Sequence, residues 1–323
     1  MAIIGYHASH EQFTPSRLLK CAQLAEQAGF QAAMCSDHFH PWSDAQGQSG
    51  FAWSWLGAAL QATSLSFGMV CAPGQRYSPA IIAQAAATLS EMFPSRLWCA
   101  FGSGQYLNEH ITGERWPSKP ERNARLLEAI KVIRALWTGQ TVTHRGSFVV
   151  EEAKLYTRPT TPPLIFGAAI TPETAEWVAP WADGLITVVQ ETSKVRAVAE
   201  AFRRGGGEGK PMSLQVHIAY APTDEEAMEN AFSQWRTNIF DSKMLSDLKM
   251  PAQFDSAARY VRPEDVRGAV RVSSDIGWHI DTLREFIEMG YNRLYLHEVG
   301  PDQERFVEVF GERVLPELKK LGE

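Results

Sequence analysis

No two cysteines in this sequence are spaced Cys-x-x-Cys; the four that occur, Cys21, Cys35, Cys71 and Cys99, are scattered inside apolar segments. That argues against a disulfide framework or a thiolate zinc site, and reads as reduced core thiols in a cytoplasmic protein. Basic runs are also missing, and the net charge is −6, so neither nucleic acid nor an anionic membrane is an expected partner. No stretch approaches the ~20 apolar residues of a membrane span. The opening MAIIGYHASHEQF lacks the basic-then-apolar order of a signal peptide. No Gly-x-Gly-x-x-Gly follows a first strand, so no separate nicotinamide domain is expected. "GGGEGKP" at 205–211 is no phosphate loop either, because Pro211 follows the lysine and no helix follows. Linker composition is absent as well, and residues 1–323 read as a single domain.

What is present is a large apolar content, 45% of residues, arranged in short runs. Runs at 3–7, 32–38, 66–72, 96–102, 163–169, 184–189, 213–220 and 293–298 are nearly continuous rather than alternating, as in parallel strands covered on both faces. Helical patterns separate them at 14–29, 79–92, 121–138, 172–181, 193–205, 224–240, 281–289 and 302–320. Several carry start signals, such as Thr14-Pro15 and Ser78-Pro79, with Asp224 and Thr282 placed as first-turn residues. Eight strands alternating with helices predict a (β/α)8 TIM barrel, with a doubly wound open sheet as competitor. Segments at about 140–158 and 241–280 do not fit the repeat. The first reads as an inserted hairpin, the second as a long excursion of the kind that forms lids or interfaces.

Barrel active sites lie at the C-terminal ends of the strands. "AAMCSDHFHPW" (32–42) therefore stands out, because a buried strand ends in Asp37, His38, His40 and Trp42. Acid/base catalysis is the functional reading, with a carboxylate holding the tautomer of a neutral imidazole. Metal binding by His-x-His is set aside, since "IFGAAI" and "LITVVQ" supply no further ligands. A histidine that merely caps the exit from the strand is the remaining alternative. The glycines of "GSGQYLNE" (102–109) suit close approach to a flat or anionic ligand, or an ordinary turn. "GAAITPET" (167–174) reads as a phosphate site or a well-capped helix. Phe51, Trp53 and Trp55 could wall an aromatic pocket or pack in the core. Tyr6 and His7, at the end of strand one, are further candidates for the substrate side. His217 and His297 read as satisfied core histidines.

Four stretches, "SDHFHPW", "APGQRYSPAIIAQAAATL", "GSGQYLNEHITGERWP" and "WADGLI", together resemble the luciferase-like flavin oxidoreductases, and within them the subgroup containing deazaflavin-dependent glucose-6-phosphate dehydrogenase. The resemblance runs through most of the chain. It implies a luciferase-like barrel with a flavin-type ring at the C-terminal rim and, by habit of the family, a homodimer. It also implies that Asp37 contacts the cofactor, that His38 is the active-site imidazole and that Trp42 flanks the substrate. A bulge at Met69-Val70, often with a non-prolyl cis peptide, would back the ring. Ser103, Gly104 and Asn108 fall on cofactor-contacting positions, and Ala168, Ala169 and Ile170 on the phosphate-binding turn.

Two positions depart from the sugar-phosphate enzymes. Gln105 replaces a glutamate and cannot donate or accept a proton as a carboxyl does; Glu109, one turn on, would sit deeper. Glu191 replaces a phosphate-binding lysine, which argues against glucose 6-phosphate. "YHASHEQF", "SDHFHPW" and "SGFAWSWLGAALQAT" resemble the branch thought to have returned from deazaflavin to FMN. The expectation is therefore an FMN-dependent monooxygenase acting with oxygen on a small ring-shaped substrate, its reduced FMN supplied by a separate reductase. The alternatives are a deazaflavin (F420)-dependent dehydrogenase working by direct hydride transfer, with His38 as base, and a non-catalytic flavin-binding protein.

Overall fold

Side chains on successive strand residues point to opposite faces, so a strand buried on both faces must fill two different cores. The computed structural model, which describes residues 2–320, shows how this chain does so. Eight parallel strands form the sheet: β1 (Ile3–Ala8), β2 (Ala32–Ser36), β3 (Ser66–Cys71), β4 (Leu97–Phe101), β5 (Leu164–Ala168), β6 (Gly184–Val188), β7 (Met212–Ala219) and β8 (Arg293–Glu298). β8 pairs with β1, and the pairing of β6 with β7 closes the sheet into a barrel. That closure rules out the open-sheet competitor. Helices follow the strands, and the strand positions match the sequence reading to within two residues.

One parity of strand residues packs outward beneath the helices: Tyr6, Cys35, Phe67, Met69, Cys99 and Val216 belong to this large outer core. The other parity points into the barrel, where Met34, Trp98, Ala100, Phe166, Ile186 and Tyr295 form a separate inner cluster. Trp98 contacts Phe166 at 4.7 Å and Tyr295 at 5.4 Å between ring centroids, so three aromatic rings plug the barrel. They fit because the facing positions are glycine. A Cβ on Gly68 would collide with Trp98, one on Gly184 with Phe166, and one on Gly5 with Tyr295. Large side chains opposite glycines fill the lower barrel, and the space above them stays open.

The insertions behave as their sequences suggest. Val142–Arg145 and Val149–Ala153 pair as an antiparallel hairpin. The 241–280 excursion holds two short helices, Ser242–Asp247 and Pro251–Ala257, and a short strand, Arg271–Val272, that extends β7. Leu245, Leu248 and Phe254 of this excursion pack against Trp42 and Leu107 and roof the upper barrel.

Three local expectations fail. β3 keeps an unbroken register with both neighbours across Met69 and Val70, and no described peptide bond is cis. The ladder continues past the strand, since Asp37 N donates to Val70 O (2.8 Å) and Gly102 N to Cys71 O (3.1 Å). The helix read as 281–289 begins at Ile276, because Asp275 caps it by accepting from Gly277 N at 2.8 Å. Thr282 therefore lies inside that helix, its hydroxyl donating to Trp278 O. Residues Ala52–Ala62, read only as an aromatic stretch, form a helix between barrel and surface.

Candidate active site

Above the aromatic plug lies a cavity of about 1190 Å³, walled by strand ends and by the loops that follow them. That exceeds the ~300–1,000 Å³ of a typical small-molecule site. The loop after β2 brings Asp37, His38 and Trp42 to it. The loop after β4 brings Ser103, Gly104, Gln105 and Asn108, and the segment ending β5 brings Ala168, Ala169 and Ile170. Val70 and His7, both of the inward parity, complete the set of sequence candidates that reach the cavity.

Six candidates do not reach it. Met69 and Tyr6 have the outward parity and are sealed in the outer core; the Tyr6 hydroxyl donates to Gln303 Oε1 at 2.8 Å. Adjacent residues on one strand cannot both face the barrel, so pairing Tyr6 with His7, or Met69 with Val70, had to fail once. Trp53 and Trp55 are buried in the same outer core, on the helix that follows β2, and Phe51, at the start of that helix, is exposed. His40 turns away to stack on His110 at 5.1 Å, its Nδ1 3.0 Å from Leu107 O. With His40 elsewhere, the His-x-His pair converges on nothing.

Two buried pairings, each made by a carboxylate, organise the site. His38 Nδ1 lies 2.8 Å from Glu11 Oε1. Burial would raise the Glu11 carboxyl, but the His38 imidazole outweighs it and holds Glu11 at about 2. An ionised Glu11 assigns the imidazole proton to Nδ1 and leaves Nε2 as a base toward the cavity. Trp42 meets the His38 ring edge-on at 5.3 Å and packs on Phe254 at 5.4 Å. The second pair is Arg76 Nη2 to Asp37 Oδ2, 3.1 Å, with Arg76 Nε 3.6 Å from Glu109 Oε1. Glu109 Oε2 also accepts from Arg76 N at 2.7 Å. Burial pushes the Glu109 carboxyl up; Arg76 N binds its Oε2, while Oε1 faces the guanidinium at 3.6 Å without a hydrogen bond. Glu109 lies deep, as expected, and is no free substitute for the carboxyl missing at Gln105.

Asn108 ties two loops together. Its Oδ1 accepts from Phe39 N (2.9 Å) and His40 N (3.3 Å), and its Nδ2 donates to Gln105 Oε1 at 3.3 Å. Glu191 is exposed on the rim and pairs with Lys194 at 3.5 Å. Any repulsion of anions is therefore made elsewhere.

The cavity fits a planar cofactor with an anionic tail. Asp37 Oδ1 is buried with no hydrogen-bond partner in the protein, an acceptor waiting for a donor. Gly104 holds φ of +83°, and a Cβ there would crowd Glu109 Cγ at 3.1 Å. At the mouth, Lys119 donates to Ser103 Oγ (2.8 Å) and pairs with no carboxylate among the described residues, while Arg122 reaches Ser246 in the roof and Asp247 at 3.8 Å.

Several of these residues escaped the sequence reading. Glu11 had a usable signal, an acid just past the end of β1. Arg76 lies in the stretch "APGQRYSPAIIAQAAATL" but was not singled out within it, and Gln215 and Trp235 had no signal, since their neighbours in the cavity come from other elements. His217 and His297 are buried and hydrogen-bonded as expected, yet both also line the cavity floor.

The family pattern described as "Luciferase-like monooxygenase" matches residues 3–293. The chain belongs to this family. Within it, the chain is 35% identical to an F420-dependent glucose-6-phosphate dehydrogenase of Kribbella flavida, covering 99% of both chains. It is 33% identical to the enzyme of the same name from Microbacterium testaceum, covering 98% and 97%. Among solved structures, an F420-dependent secondary alcohol dehydrogenase in complex with an F420-acetone adduct superposes with a TM-score of 0.91 at 31% identity, over 98% of this chain and 99% of that one. This member of the luciferase-like family is an oxidoreductase. Among its described residues, no helix is long and apolar enough to cross a membrane.

Proposed function

We propose that this protein is a deazaflavin-dependent oxidoreductase that interconverts a small secondary alcohol and its ketone. The carrying observation is a cavity in which His38, oriented by Glu11, faces the space beneath Trp42, in a chain 31% identical to an alcohol dehydrogenase with an F420-acetone adduct. Resemblance at the level of motifs favoured FMN and oxygen. The relatives favour the alternative, because each of those named above uses F420.

The deazaflavin, when bound, supplies the two-electron acceptor. Everything else falls to the chain. Asp37 Oδ1 offers an acceptor to a ring N–H, and Gly104 lets backbone approach the ring closely. His38 Nε2 accepts the proton of the substrate hydroxyl as the C–H bond breaks, and Glu11 stabilises the imidazolium that forms. Trp42 and the 241–280 roof exclude water. Gln105 serves as a hydrogen-bonding wall rather than an acid.

The test is a titration of purified apoprotein with FMN and with deazaflavin, followed by absorbance, then turnover of 2-propanol and cyclohexanol under argon. Tight deazaflavin binding and anaerobic ketone formation are expected. FMN binding with consumption of oxygen, with which deazaflavins react poorly, would overturn the reading in favour of monooxygenation.

A further inference from the structure

The floor of the cavity is a polar layer on three adjacent strands. His217 of β7 and His297 of β8 are in register, and His7 of β1 lies in the same row. Gln215 sits between two of these rings. Its Nε2 is 3.2 Å from His217 Nε2 and 3.2 Å from His297 Nδ1. An amide nitrogen only donates, so both ring nitrogens accept. The remaining nitrogens then carry the protons: His217 Nδ1 donates to Ala269 O (3.2 Å) and His297 Nε2 to Gln12 Oε1 (2.9 Å). Each imidazole is thus fixed in one neutral tautomer by a donor on one side and an acceptor on the other. His7 stacks on His297 at 4.5 Å. Burial lowers His7 to about 3 and His217 to about 4, and burial with its imidazole neighbours holds His297 well below its ordinary value.

The charges around this floor are unequal. Glu11, Asp37 and Glu109 line the inner chamber against one lining cation, Arg76, whose guanidinium is shared between Asp37 and Glu109; Arg271, near His217, does not line the cavity and donates to Gln190 O. At the mouth stand Lys119, which pairs with no carboxylate among the described residues, and Arg122, whose Nη1 lies 3.8 Å from Asp247 Oδ1. An anion driven inward would meet carboxylates and neutral imidazoles, with nothing to replace its lost hydration. Gln215 Oε1, by contrast, has no hydrogen-bond partner among the described residues, and Gln215 lines the cavity. The wall above the floor is aromatic, with Trp235 packed against His217 at 4.8 Å and His297 at 4.7 Å.

We infer that the Gln215–His217–His297 floor is the element that selects the substrate: it takes an uncharged ring alcohol whose far edge carries a second hydrogen-bond donor to Gln215 Oε1, and it rejects alcohols bearing a carboxylate or phosphate. The inference deepens the proposed alcohol oxidation and rests on it. Gln215 is here a specificity residue, remote from the reacting carbon.

The deciding experiment compares 1,4-cyclohexanediol, cyclohexanol and 4-hydroxycyclohexanecarboxylate as substrates of the deazaflavin-loaded enzyme. The matching ketones are titrated against tryptophan fluorescence, since Trp42 and Trp235 face the cavity. The diol should show a KM about tenfold below that of cyclohexanol, and the carboxylate a kcat/KM at least a hundredfold below that of the diol. Gln215→Met should raise the KM of the diol about tenfold, with kcat within threefold and cyclohexanol unaffected. A carboxylate handled as well as the diol, or a Gln215→Met variant that moves both neutral substrates alike, would overturn the inference. If Gln215→Met does not fold, the charge series on the unaltered enzyme still decides. If no alcohol is oxidised with deazaflavin, the proposed function fails by itself. The ketone titrations then report separately whether the chamber prefers the neutral ring.

Discussion

Replacing Glu11 by glutamine perturbs one charge and almost no volume. Glu11 is 3% exposed, and it lies 2.8 Å from His38 Nδ1 and accepts from Ser9 Oγ at 3.0 Å. The His38 imidazole, against the opposing effect of burial, holds its carboxyl from an ordinary 4.5 down to about 2. That depression corresponds to about 3 kcal/mol of preference for the ionised form. If the imidazolium formed during proton transfer draws the same support, Glu11→Gln costs about 3 kcal/mol in the transition state, or about 100-fold in kcat. Glutamine keeps an oxygen for Ser9 and does not touch the residues assigned to the cofactor. The assay is steady-state alcohol oxidation at pH 7 under argon, with the deazaflavin Kd measured alongside. A folded variant with unchanged Kd and kcat within about threefold of the parent would refute the assignment of Glu11 as the group behind His38.

Other outcomes follow from the same geometry. Burial pushes Glu298 up to about 8, above its ordinary 4.5, so its contribution to stability is fully present below pH 4.5 and is lost as pH rises through about 8. Between pH 7 and 9, where the buried histidines are neutral folded or unfolded, the Tm should therefore fall by an amount equivalent to about 1–2 kcal/mol, and Glu298→Gln should flatten that slope. Tyr6→Phe removes a buried hydrogen bond to Gln303 and should cost about 1–2 kcal/mol in urea denaturation with KM unchanged; a shifted KM would return Tyr6 to the substrate site. Lys119→Ala should weaken binding of the anionic cofactor severalfold at low ionic strength, and the gap should narrow in 0.5 M salt as screening sets in. An equal affinity at low salt would remove Lys119 from the mouth.

Much of the scaffold was legible along the chain. Near-continuous apolar runs at eight places, helical patterns between them and proline-marked helix starts do not depend on distant contacts. The motif from Asp37 to Trp42 announced itself because polar residues cannot end a buried strand without a use. The errors share a cause. Tyr6 beside His7 and Met69 beside Val70 looked equally suitable, because in a strand buried on both faces hydrophobicity does not reveal which parity looks inward. Thr282 looked like a helix start until Asp275, six residues earlier, took the cap.

The order of strands and helices and the rim position of the 37–42 loop were local properties, written in periodicity and residue type. Only the closed barrel decided that Glu11 stands behind His38, that Arg76 occupies Glu109, and that three histidines and Gln215 form one neutral floor. Those partners are drawn from strands and loops far apart in the sequence. Closure puts them within hydrogen-bonding reach, and burial there turns ordinary polar residues into a site of defined charge.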